Sequence, residues 1–65
     1  MKITINGKQV ETTDTTLDQL IEHRGFDPDA LIVELNLKII PRKNWPETQL
    51  SKGDTLELLN FVGGG

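Results

Sequence analysis

The residue types able to do chemistry are few in this chain. It has no cysteine and a single histidine, His23, so it offers no thiolate nucleophile and no thiolate metal site, and one imidazole cannot hold a metal alone. We expect His23 to be a solvated surface side chain. Asp27 and Asp29 flank a proline, where turn formation accounts for both carboxylates. The sequence therefore predicts neither a metal site nor a self-contained active site.

The three residues that end the sequence, Gly63, Gly64 and Gly65, make the terminal carboxylate the remaining candidate. Glycine has no Cβ, so a run of glycines can thread a channel too narrow for side chains. A carboxylate is a poor electrophile, and adenylation with a partner enzyme's ATP is an economical way to activate it. The alternative is an inert end that frays. We predict that Gly65 carries the reactive group and that Gly64 and Gly63 give access to it.

Composition excludes several classes of partner. The chain has 65 residues, enough for one small domain, and a formal net charge of −3 with no basic cluster, so we expect no nucleic-acid partner. Its apolar stretches are far shorter than a membrane span, and its first residues show no signal-peptide pattern. We therefore expect a cytoplasmic protein without a membrane partner.

The first half of the sequence predicts a hairpin followed by a helix. "KITIN" alternates apolar and polar residues, Asn6-Gly7 is a strong hairpin signal, and "KQVET" returns as a second strand. "LDQLI" then places its apolar residues on one helical stripe. Thr16 and Gln19 fit a capping box at the start of this helix, and Gly25 supplies its left-handed stop.

The second half predicts three more strands. "LIVEL" and "KII" are joined by Asn36-Leu37, and because Leu37 would be strained at positive φ we expect a turn other than the Asn-Gly type. "PRKNWPETQL" is expected to form a short helical turn and a loop that anchors Trp45, and "TLELLNF" is the last strand. With the last strand returning beside the first, this order predicts an α+β fold, a β-grasp domain with one main helix packed on one face of a mixed sheet.

The last strand has two apolar faces. Leu56 and Leu58 share one face, which we expect to lie under the helix, whereas Leu59 and Phe61 share the other. Apolar side chains facing outward next to the reactive end indicate a partner-binding patch, which we extend to Val62. The alternative is that a loop or the C-terminal segment covers them. We divide the chain into a folded domain, residues 1–61, and a flexible reactive tail, residues 62–65.

The whole chain resembles the sulfur carrier proteins of thiamine thiazole biosynthesis, the ThiS family of ubiquitin-like β-grasp proteins. The stretches "ITINGK", "TTLDQLI", "VELNLKIIPRKNW" and "KGDTLELLNFVGGG" carry the resemblance. The match is strong because a terminal Gly-Gly coincides with this length, with the Ile40-Pro41-Arg42…Trp45 stretch and with Gly53-Asp54 before the last strand. One departure is Leu37, where family members often have glycine after the asparagine.

This resemblance implies a co-substrate and not an enzyme. In the family, a ubiquitin-activating-type adenylyltransferase uses ATP to adenylate the C-terminal glycine. Sulfur relayed through donor proteins then replaces AMP, and thiazole synthase takes sulfur from the resulting thiocarboxylate. Carried onto this sequence, Gly65 bears first the acyl-adenylate and then the thiocarboxylate. Gly64 has no side chain and so lets the terminus enter a narrow site of the partner. No cofactor is expected to bind the chain itself, since ATP belongs to the partner.

Three alternatives remain open. The chain is compatible with a sulfur carrier of another pathway, such as molybdopterin synthesis, although that family tends to be longer. A ubiquitin-like modifier joined to target lysines through Gly65 would share the adenylation chemistry. A plain β-grasp interaction module with an inert tail would keep all its activity without Gly64 and Gly65.

Overall fold

The computed structural model describes residues 1–61, so the predicted tail, including Val62, Gly63, Gly64 and Gly65, lies outside the described residues. The described chain contains five strands, one α-helix and two short 3-10 helices. In chain order these elements are β1 (Lys2–Ile5), β2 (Lys8–Glu11), α1 (Leu17–His23), a first 3-10 helix (Pro28–Ala30), β3 (Leu31–Leu35), β4 (Lys38–Ile39), a second 3-10 helix (Arg42–Glu47) and β5 (Thr55–Asn60).

The five strands form one mixed sheet in the order β2-β1-β5-β3-β4. β5 lies at its centre, parallel to β1 with Ile5 beside Leu56, and antiparallel to β3 with Val33 opposite Leu58. The hairpins β1-β2 and β3-β4 complete the two sides. The predicted α+β fold, with the last strand beside the first, is confirmed.

The core lies between α1 and one face of the sheet. Leu17, Leu20 and Ile21 supply the buried stripe of the helix, as the spacing predicted. The sheet contributes the inward residues of the central strands, and the loop region adds a tryptophan and a leucine: Ile3, Ile5, Leu31, Val33, Leu56, Leu58, Trp45 and Leu50. Burial of these side chains holds the fold together, because the chain has no disulfide.

Helix α1 starts and stops near the predicted residues, but its start is stabilised differently. Thr16 is the N-cap residue, yet its side chain makes no cap bond; its hydroxyl donates to Asp18 Oδ1 instead. Gln19 Oε1 accepts from the backbone N–H of Thr15. The predicted capping box is therefore wrong. At the other end Gly25 adopts a φ of +74°, as predicted for a left-handed stop.

Both hairpins turn through two residues of positive φ. Asn6 and Gly7 have φ values of +50° and +83°, which is the predicted Asn-Gly turn. Asn36 and Leu37 have φ values of +50° and +73°, so the second hairpin uses the same kind of turn. The expectation of a different turn type at Leu37 is wrong, and this leucine occupies a left-handed conformation that disfavours a side chain.

Trp45 anchors the segment between β4 and β5, as predicted. The second 3-10 helix carries it into the core, where its indole N–H donates to the carbonyl of Ile40 at 2.9 Å. The following residues meet the start of α1, since Leu17 N–H donates to the Thr48 carbonyl and Leu50 N–H donates to the Thr15 carbonyl. Within residues 1–61, no helix is long and apolar enough to cross a membrane.

Candidate functional site

The strand that leads to the predicted reactive tail is the central strand of the sheet. β5 has a hydrogen-bonded neighbour on each side. Its pairing continues one residue beyond the strand, because the Phe61 N–H donates to the carbonyl of Ala30 at 2.9 Å. The described chain thus remains attached to the sheet up to the residue before the tail.

Asn6 extends the contact between β1 and β5 past the point where β1 turns away. Its side-chain Oδ1 accepts from the Leu58 N–H at 2.8 Å, and its Nδ2 donates to the Leu58 carbonyl at 3.1 Å. The amide group therefore binds Leu58 as a further strand residue would. Sequence reasoning assigned Asn6 to the end of the first strand and to the turn, and it missed this further role.

Asn36 does the same on the other side of β5. Its Oδ1 accepts from the Thr55 N–H at 2.9 Å, while its own N–H donates to the Thr55 carbonyl at 2.8 Å. Its Nδ2 also donates to Asp54 Oδ1 at 3.1 Å. The sequence signal for these contacts was an asparagine at the first position of each hairpin turn. The partners of the two asparagines could not be read from it, because they are 18 to 52 residues away in the chain.

The outward face of the sheet carries an apolar surface that includes Phe61, the last described residue. Leu59 is 51% exposed and Phe61 is 44% exposed, whereas Leu56 and Leu58 are buried, so the predicted division of β5 into two faces is confirmed. Ile32, directly opposite Leu59, and Ile39 on β4 are also exposed. We call Ile32, Ile39, Leu59 and Phe61 the sheet patch.

The sheet patch is larger than the sequence indicated. Ile32 and Ile39 were assigned to strands but not to a surface, because their neighbours depend on the register between β3, β4 and β5. Partner binding by Leu59 and Phe61 stays a prediction, and the predicted contribution of Val62 falls outside residues 1–61. An exposed cluster of four large apolar side chains is typical of a protein–protein contact.

A pair of glutamates borders the sheet patch. Glu34 and Glu57 are directly opposite each other on β3 and β5, and both are half-buried. Over the described range 1–61, no lysine, arginine or histidine nitrogen lies within 4.0 Å of either carboxylate. Like charges that face each other across two strands are destabilising.

A groove opens on the helix side of the molecule, with a volume of about 370 Å³. Its lining residues come from α1, the turn that follows it and the two 3-10 helices: Asp18, Ile21, Glu22, Gly25, Phe26, Pro28, Arg42, Trp45 and Pro46. Arg42 forms an ion pair with Asp29. Both side chains are largely exposed, and such a pair adds little stability.

His23 is exposed as predicted, but it has a partner that sequence reasoning missed. Its Nδ1 lies 2.5 Å from Oδ1 of Asp14, and the Asp14 side chain is only 8% exposed. The Thr12 hydroxyl donates to the other oxygen of Asp14 at 2.9 Å. These contacts join the end of α1 to the segment before it.

The predicted turn role of Asp27 is also observed. Its side chain accepts from the Asp29 N–H at 2.9 Å at the start of the first 3-10 helix. Among residues 1–61, no group of three or more His, Cys, Asp or Glu side chains is arranged to hold a metal ion. The predicted reactive group, Gly65, is outside the described residues.

Comparisons with known proteins give the family. The model of the ThiS family matches residues 3–65. The sulfur carrier protein ThiS of Bacillus subtilis is 36% identical over 63 residues, covering 94% of this chain and 96% of that protein. The crystal structure of the thiamine biosynthesis protein ThiS from Geobacter metallireducens matches with a TM-score of 0.85 at 29% identity and covers 100% of both chains.

One of the relatives is a much longer protein, of which this chain matches only a part. The thiazole synthase of Paramagnetospirillum magneticum is 35% identical over 66 residues, which covers 100% of this chain but 20% of that protein. The chain therefore spans about a fifth of the length of this relative. The family match over residues 3–65 is decisive: this chain belongs to the ThiS family, whose members are small sulfur carrier proteins and not enzymes.

Proposed function

We propose that this chain carries sulfur for thiamine thiazole formation as a thiocarboxylate on Gly65. The observation that carries the proposal is the family match, which extends over residues 3–65 and so includes the three final glycines. The composition supports it as well. Because the chain has no cysteine, the terminal carboxyl group is the one place where it can hold transferable sulfur covalently.

The proposed chemistry has two steps on the chain. A carboxylate oxygen of Gly65 attacks the α-phosphorus of ATP in a ubiquitin-activating-type adenylyltransferase, forming the acyl-adenylate and releasing pyrophosphate. A sulfide-level sulfur, relayed by a donor protein, then attacks the carbonyl carbon and expels AMP. The product is the thiocarboxylate, and a side chain at Gly64 or Gly63 would obstruct its approach to the partner's site.

The sheet patch supplies the affinity that such a tail needs. Ordering a glycine segment costs about 1–2 kcal/mol per residue in backbone entropy, so contacts of the tail alone are poorly suited to hold it in an active site. Phe61 and Leu59 lie immediately before the tail and expose apolar surface. We infer that the adenylyltransferase covers them, with Val62 continuing the contact.

Thiazole synthase is the proposed acceptor of the sulfur. Relatives that bear this name contain a segment similar to the whole of this chain. A carrier segment and a synthase joined in one polypeptide fit a pair of proteins that act on each other. For this chain we expect the thiocarboxylate to enter the site of a thiazole synthase.

Intact-mass spectrometry tests the proposal directly. The full chain is incubated with a thiamine-type adenylyltransferase, ATP and a sulfide source, and the expected result is a mass gain equal to replacing one oxygen by sulfur. A chain lacking Gly65 and a Gly65→Val variant serve as controls and should not gain mass. If the wild-type mass is unchanged while the enzyme modifies a known carrier, the proposed function is wrong.

A further inference from the structure

The glutamate pair on the outward face is an unbalanced feature of the free protein. Glu34 and Glu57 face each other across β3 and β5, and neither has a cationic partner in the described part of the chain. Their half-buried position weakens the screening that water would provide. The two carboxylates therefore repel each other in the unbound protein, and among residues 1–61 no cationic side chain within 4.0 Å offsets this repulsion.

The register places this pair against the sheet patch. Ile32 and Leu59 form the next outward row towards the tail, and Ile39 lies opposite Glu34 on its other side. A partner that covers these apolar side chains must also cover the two carboxylates. Removing an unpaired carboxylate from water is strongly unfavourable, so a neutral or acidic partner surface is excluded at this point.

We propose that the adenylyltransferase which activates Gly65 docks on the sheet patch with an apolar surface and places an arginine side chain between Glu34 and Glu57. This inference rests on the proposed function and adds the chemistry of the partner. A guanidinium fits because its planar group donates several hydrogen bonds and reaches two carboxylates at once. The net charge of −3 on the chain favours the same basic partner.

The pair then acts as a specificity element. Repulsion between the two carboxylates slightly lowers the stability of the unbound protein. The partner's cation relieves this repulsion only when the sheet patch is correctly docked on the partner. Binding and stability should therefore respond in opposite directions when the charges are removed. A purely structural role for the two glutamates would not produce this opposition.

The test compares two double variants with the same net charge. Glu34→Gln/Glu57→Gln removes the pair, while Glu22→Gln/Glu47→Gln removes two exposed carboxylates from α1 and the second 3-10 helix. Affinity for the adenylyltransferase is measured at several salt concentrations with the full chain. We expect the first variant to bind about tenfold more weakly, with a smaller salt dependence, and the second to bind nearly as wild type.

A further variant tests the pair by a different route. Glu34→Lys places a cation opposite Glu57 within the chain, so it should raise the urea midpoint and weaken partner binding more than the neutral variant does. Equal binding by the wild-type chain and the Glu34→Gln/Glu57→Gln variant would overturn the inference. Equal losses in the two double variants would also overturn it, because they would reflect net charge alone.

The same measurements separate this inference from the proposed function. If the wild-type chain binds the enzyme but no ATP is consumed and the chain gains no sulfur, the proposed function fails. The binding data on the glutamate variants still test the docking inference in that case. If the wild-type chain is activated normally and the loss of both charges changes nothing, the docking inference fails and the carrier function stands.

Discussion

Replacing Leu37 by glycine should stabilise the protein. Leu37 has a φ of +73° and is 89% exposed, so its side chain is in an unfavourable backbone conformation without gaining burial. The left-handed conformation costs a residue with a Cβ roughly 1–2 kcal/mol. Glycine removes that cost but adds about 0.4–1 kcal/mol of unfolded-state entropy. The difference predicts a gain of about 0.8 kcal/mol in the free energy of unfolding.

Urea unfolding followed by the fluorescence of Trp45, the single tryptophan, measures this gain. A gain of about 0.8 kcal/mol corresponds to a rise in Tm of roughly 3–6 °C for a domain of this size. The slope of the unfolding free energy against urea should not change, since little surface is involved. Two controls isolate the backbone effect: Leu37→Ala keeps a Cβ at positive φ, and Gly7→Ala introduces one at a φ of +83° with no atom within 4 Å of it.

Leu37→Ala should be close to neutral, and Gly7→Ala should destabilise the protein by about 1 kcal/mol. The decisive comparison is between the unfolding free energies of Leu37→Gly and Leu37→Ala. A Leu37→Gly protein no more stable than Leu37→Ala would refute the strain at this turn, because the two variants differ by the Cβ that the strain requires.

Three further outcomes follow from the described contacts. Phe61→Asp should leave the urea midpoint nearly unchanged and weaken binding to the adenylyltransferase, whereas an unfolded variant would place Phe61 in the core. Asn6→Gly keeps the turn but removes both bonds to Leu58, so it should cost about 1–3 kcal/mol in urea unfolding, with hydrogen exchange at the Leu58 amide accelerated. Trp45→Phe removes the bond to the Ile40 carbonyl and should cost about 1–3 kcal/mol by circular dichroism.

Local signals predicted most of the fold correctly. The alternation in "KITIN", the Asn6-Gly7 turn and the helical stripe of α1 each depend on neighbours within a few residues, and all were observed. The exposure of Leu59 and Phe61 was predictable for the same reason, since strand periodicity assigns faces without knowledge of the partner strand.

The errors arose where distant residues decide the local structure. Leu37 adopts positive φ because Asn36 is held by Thr55 and Asp54, and these contacts outweigh the preference of a leucine. Contacts across the sheet also determine which charges meet. Glu34 faces Glu57 only through the register of β3 and β5, which no window of the sequence contains.

Turn residues alone do not explain why an asparagine begins both hairpin turns. Asn6 and Asn36 each direct their side-chain amide to β5, one from β1 and one from the end of β3, and they bind Leu58 and Thr55 respectively. Side chains therefore hold the central strand from both sides, at Leu58 and at Thr55, in addition to the backbones of its neighbours. Under the proposed function the reactive group follows this strand, and an anchor of this kind would keep the sheet patch in a fixed position relative to Phe61. Because Leu58 lies three residues before Phe61, loss of Asn6 should disturb the position of Phe61 before it disturbs the helix, whereas loss of Asn36 should act at the start of β5.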